Sequence, residues 1–126
     1  MVWYVNWYVA DKITRKKGRW NLEYLKHRIK AHWQHRYEKA LLDPVVDDLK
    51  GYEEPHNIRE VLDASEPYLP PQGCIGEMVL SVGKSIYLHE KGADGIIDIS
   101  PFTCMNGIIC EAVYPSVSQA YDNLPI

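Results

Sequence analysis

The sequence predicts a helix-rich α/β fold, a fragment of a doubly wound parallel-sheet domain. Two observations carry that prediction. Gly95 to Ser100 is an almost continuous apolar run, with Ile96, Ile97 and Ile99 close together. A run of that length and content suits a strand covered on both faces. Around it lie segments whose apolar residues recur at helical spacing, before Gly92 and after Gly107. Alternating helix and strand signals of this kind point to parallel strands flanked by helices.

The elements follow in order. Residues 2–17 carry mixed signals. Val, Trp and Tyr favour strands, but Val2, Val5, Val9 and Ile13 recur at helical spacing, and a helix is the preferred reading. The density of Trp and Tyr marks either plain core or an interface. Lys12 to Arg19 is basic, and Gly18-Arg19 reads as a connector. Asn21 caps a long helix with Leu22, Leu25, Ile29, Trp33, Tyr37 and Leu41 on one inward stripe. Pro44 stops it near Leu42 by disfavouring helical geometry at Asp43.

Gly51 to Pro55 reads as a turn, and Asn57 caps a short helix through about Ser65, with Ile58, Val61 and Leu62 inward. Pro67, Pro70, Pro71 and Gly73 make a rigid loop. A helix over residues 75–91 carries the stripe Ile75, Val79, Val82, Ile86. Gly83 inside it costs about 1 kcal/mol against Ala, which marks close packing on another backbone. Gly92 ends that helix. The strand ends at Pro101, which has no N–H to donate. Asn106-Gly107 starts the last helix, on Ile108, Ile109, Ala112 and Val113, and Pro115 kinks or splits it. Leu124 to Ile126 would open another strand.

The 126 residues form one domain, with a basic helical region over 1–50 and the α/β region over 51–126. Residues 1–40 hold ten Lys or Arg against three Asp or Glu, a net of +7, and the remainder holds four against fourteen, a net of −10. The basic half could meet phosphates, or pair with the acidic half of the same fold. The acidic total and the Trp and Tyr residues required on the buried stripe argue against nucleic acid. No run is long enough to span a bilayer, and no basic-then-apolar leader is present, so the cytoplasm is the expected location. Three cysteines, an odd number, argue against a secreted disulfide framework.

Cys104 is the sharpest chemical candidate. It falls in a strand-to-helix loop, where open α/β sheets bind ligands. Backbone N–H groups at a helix start stabilise a thiolate, and thiolates hold iron–sulfur clusters. A small buried hydrophobe is the plainer alternative. Cys74 precedes the residue-76 helix and is a weaker candidate; Cys110, inside an apolar helix, reads as core. The three make no CxxC pair or compact ligand set. Glu77 complements the dipole of its helix, and Lys84, seven residues on, shares its face. His27, His32 and His35 read as a polar helix face without a third ligand. Gly76 to Ser85 superficially matches a phosphate loop, but the spacing is wrong and the intervening residues are a helical stripe.

Two motifs carry a family resemblance: Gly-Glu-Met-Val-Leu-Ser-Val-Gly-Lys (76–84) and Gly-Ala-Asp-Gly-Ile-Ile-Asp-Ile-Ser-Pro-Phe-Thr-Cys-Met (92–105). The chain resembles the C-terminal part of acyl-CoA dehydratase activase-related proteins, relatives of the 2-hydroxyglutaryl-CoA dehydratase subunits. The resemblance covers residues 66–126 and is looser before them. It implies a Rossmann- or flavodoxin-like sheet and an excised piece of a larger protein. It also implies low-potential electron transfer in CoA-thioester metabolism, because radical dehydration of a 2-hydroxyacyl-CoA needs an electron added to the thioester carbonyl. Cys104 would be an iron–sulfur ligand, the others coming from elsewhere, with Thr103, Asn106, Gly107, Glu77 and Lys84 around the cofactor. The family often has Pro, followed by Gly, where Asn106 stands, which alters the stiffness of the loop.

The implied partners are the rest of the parent chain or an ATP-binding activase domain, and an acyl-CoA dehydratase. A homo-oligomer through the Trp-rich N-terminus is a further expectation. The isolated chain, with no ATP motif, is expected to show no turnover. The rival expectation is a protein–protein interaction domain without metal.

Overall fold

Five α-helices and one short 3-10 turn make up the computed structural model, which describes residues 2–17, 21–49, 51, 55, 57–74 and 76–126. In order they are α1 (Val2–Lys17), α2 (Leu22–Leu42), the 3-10 turn Asp43–Val45, α3 (Ile58–Ser65), α4 (Glu77–Glu90) and α5 (Met105–Ala120). No strand occurs among the described residues. The predicted doubly wound, Rossmann- or flavodoxin-like sheet is therefore not what this chain builds. Gly95–Ser100, read as its strand, is irregular, and so is Leu124–Ile126. A single main-chain bond joins the two segments, from Ile96 N–H to the Pro125 carbonyl at 2.8 Å. One bond is not a ladder, and an apolar run becomes a strand only when neighbouring chain supplies one. The connector at Gly18-Arg19, Trp20, most of the 51–55 turn and Ile75 lie outside the described residues.

The chain divides into two compact units, residues 1–53 and 54–126. In the first, α1 and α2 pack together. Asn21 caps α2 by accepting from the Glu23 N–H at 3.0 Å. The face of α2 turned to α1 is polar: His27 Nε2 donates to the Asn6 carbonyl at 2.8 Å, and Asn6 Nδ2 donates to Gln34 Oε1 at 2.6 Å. Leu22, Leu25, Ile29, Trp33, Tyr37 and Leu41, expected inward, are all exposed, up to 78% at Leu41. The stripe is where its spacing puts it, on one helix face, but that face is not the one α1 covers. In α1, Tyr4 is buried and stacks on Trp7 with ring centroids 6.1 Å apart.

The second unit has the better core. Asn57 caps α3 through the Arg59 N–H at 3.0 Å. Val61 and Leu62 of α3 and Val79, Val82 and Ile86 of α4 are buried, as are Cys110, Tyr114 and Val117 of α5. Each such aliphatic side chain contributes roughly 1.5–3 kcal/mol by leaving water. The α3–α4 contact is close because Gly83 has no side chain: a Cβ there would lie 2.0 Å from the Val61 carbonyl oxygen. Gly92, at φ 98°, ends the chain's run out of α4 in a conformation other residues resist.

In α5 the buried stripe is Gly107, Cys110, Tyr114 and Val117, whereas the predicted stripe is turned outward, with Ile108 and Ala112 exposed. The helix also runs unbroken through Pro115, on an exposed turn. Only one i→i−4 bond is lost there, and solvent reaches the turn where the Glu111 carbonyl lacks its donor.

Candidate functional site

Of the cofactor-site residues named from the sequence, all but Lys84 gather around the starts of α4 and α5. Gly76 caps α4, and a Cβ at that position would fall 2.8 Å from Asn106 Oδ1 in the first turn of α5. Two helix N-termini therefore meet at one place, each adding partial positive charge from unpaired N–H groups. Glu77 follows Gly76 directly and is exposed. Gly107 is buried, because the Ser100 side chain lies against it: a Cβ would overlap Ser100 Oγ.

Cys104 is itself the N-cap of α5, two residues earlier than the predicted start at Asn106. Its side chain makes no capping bond, and the residue is half-buried. The Cys104 N–H donates to the Pro101 carbonyl at 3.0 Å, closing a tight turn over Phe102 and Thr103. Thr103 holds φ 66°, a left-handed conformation costly for a β-branched side chain. Phe102 is 97% exposed. Cys104 thus opens a helix behind a strained, solvent-facing turn. The strand-to-helix junction of the sequence reading becomes a loop-to-helix junction, since no strand precedes it.

The other two cysteines divide. Cys74 is half-buried, two residues before Gly76. Cys110 is buried and its S–H donates to the Met78 carbonyl at 3.7 Å. Burial pushes the Cys110 thiol above its usual range. No group of three or more His, Cys, Asp or Glu among the described residues could hold a metal ion. The donor set on these residues is thus too small to hold a cluster by itself.

Lys84 does not join the helix starts. Seven residues along α4 from Glu77, it is about 10 Å further up the axis. It lines instead a cleft of about 330 Å³ between α4 and residues 96–98, together with Ser81, Ser85, Asp98 and Tyr114. Tyr114 donates its hydroxyl to Asp98 Oδ2. Burial, and then this bond, push the Tyr114 phenol above its usual range. Sequence reasoning missed Asp98 and Tyr114. The only signal was a lone carboxylate inside an isoleucine run; its pairing with Tyr114 joins a loop to a buried helix position sixteen residues on, which local pattern does not record.

No family model matches the chain, and no curated protein and no solved structure matches it either.

Proposed function

We propose that this chain is a domain of a 2-hydroxyacyl-CoA dehydratase or activase-related protein, and that Cys104 gives one thiolate to an iron–sulfur site shared with other chain. The resemblance of residues 66–126 supplies the family. The position of Cys104 is the observation that carries the role: half-buried, at a helix N-cap, behind the strained Thr103 turn and the open Phe102. A sulfur sealed in the core, as Cys110 is, could not reach iron. Asn106 and Gly107 shape the start of α5, and Glu77 stands beside it on α4. No turnover is expected of the chain by itself. The reading includes a cytoplasmic location: no described helix is long and apolar enough to cross a membrane, and the thiols it invokes need a reducing compartment. The parent chain or an activase domain, and an acyl-CoA dehydratase, are its partners on this reading.

Anaerobic iron–sulfur reconstitution of the chain together with the other parts of its parent tests the proposal. Visible absorbance should form, and Cys104→Ser should lower it while Cys74→Ser leaves it unchanged. Equal absorbance in wild type and Cys104→Ser would remove Cys104 from the site.

A second reading, a protein–protein interaction domain without metal, is favoured by the exposed stripe from Leu22 to Leu41 on α2. Six large apolar side chains on one helix face are more than a lone surface helix ordinarily leaves in water. On that reading the reconstituted chain stays colourless and the stripe residues govern binding.

A further inference from the structure

The segment from Gly95 to Ser100 has strand-like alternation without a strand partner. Asp98, although exposed, accepts from the Tyr114 hydroxyl, the Ser100 side chain lies against Gly107, and Ile96 is half-buried. Ile97 and Ile99 point the other way, and each is 88% exposed. In an extended chain successive residues also direct their N–H and C=O groups to opposite edges. Ile96 uses its N–H on Pro125. On that pattern the groups of Ile97 and Ile99 belong to the other edge, and no main-chain bond from either occurs among the described residues. Bordering the segment is the cleft of about 330 Å³, with Leu80 and Leu88 of α4 on its far wall.

We propose that this edge receives an extended segment of a partner protein. The partner's backbone pairs with Ile97 and Ile99, and its apolar side chains enter the cleft against Leu80 and Leu88. Unpaired main-chain donors and acceptors in a row are satisfied by another extended backbone, not by a helix, whose own groups are already paired. Charge selects the segment. Residues 54–126 hold three Lys or Arg against ten Asp or Glu, a net of −7. Within the cleft Lys84 and Asp98 offset one another. A net basic, apolar strand is drawn to this unit, while a second copy of the same acidic unit is repelled. The pairing is intermolecular, and the fold of the chain itself stays helical. The inference rests on neither Cys104 nor the family resemblance.

The probe is a fluorescent synthetic peptide of alternating Val and Thr flanked by Lys, titrated into the full chain. Saturable binding is expected. N-methylating alternate residues of the peptide, which removes the donors of one edge, should weaken it by about tenfold or more for two lost main-chain bonds. Ile99→Pro should weaken it similarly, with helix content unchanged by circular dichroism because the residue is exposed. Three results would overturn the proposal: no binding, equal binding of the N-methylated peptide, or equal binding of a version flanked by Glu. Sedimentation showing the chain already dimerised, with Ile97→Lys restoring a monomer, would also overturn it, by making a second copy the occupant.

Discussion

Gly83→Ala is the most direct test of how the second unit is held together. Replacing Gly by Ala inside a helix ordinarily stabilises it by about 1 kcal/mol. Here the added Cβ would sit 2.0 Å from the Val61 carbonyl oxygen, 2.8 Å from Val61 Cγ1 and 2.9 Å from the Val61 carbonyl carbon. Two of those atoms are main chain in the middle of α3, so no side-chain rotation relieves the overlap. The helices must part by about 1 Å or more, which loosens Val61 and Leu62 against Val79, Val82 and Ile86. Overpacking of this kind costs about 1–3 kcal/mol, and main-chain overlap belongs at the upper end. Allowing for the propensity gain, a net loss of about 2 kcal/mol is expected, which lowers Tm by about 10 °C in a unit of this size. Thermal unfolding followed by circular dichroism reads it directly. Gly73→Ala is the control, since its nearest neighbour would be 3.8 Å away and little change is expected. A Gly83→Ala protein as stable as wild type, or more so, would refute the close α3–α4 approach.

Other outcomes follow from the same geometry. Asn21→Ala and Asn57→Ala should each cost about 1 kcal/mol by leaving helix-start N–H groups without an acceptor, seen as a lower unfolding midpoint. Leu41→Ala, at a position 78% exposed, should shift stability by less than about 0.5 kcal/mol in the isolated chain. In the native chain a thiol reagent should modify Cys104 and Cys74 readily and Cys110 only after denaturation. Stability should fall as pH rises above about 10. The Tyr114 phenol holds its proton more tightly folded than unfolded, so its contribution is complete below the ordinary tyrosine range and lost above it. Tyr114→Phe should flatten that alkaline slope and cost about 1–2 kcal/mol at neutral pH by removing the bond to Asp98.

What could be read from the chain alone is what short stretches decide. The Asn21 and Asn57 caps, the stop at Leu42 before Pro44 and the left-handed Gly92 all depend on residues within one turn of themselves. The burial of Cys110 and the close contact at Gly83 were also legible, as properties of single positions on a helix. Tertiary structure decided the rest. Helical spacing put Leu22 to Leu41 on one face of α2, but spacing carries no record of which face a neighbour covers, and α1 meets the polar one. The isoleucine run at 96–99 has strand composition, yet a strand exists only when a second backbone answers its donors and acceptors, and that answer is not local. Cys104 caps α5 where Asn106 was expected to, and Asn106 in the first turn lies instead against Gly76 of α4, a contact between elements that no single stretch of the sequence encodes.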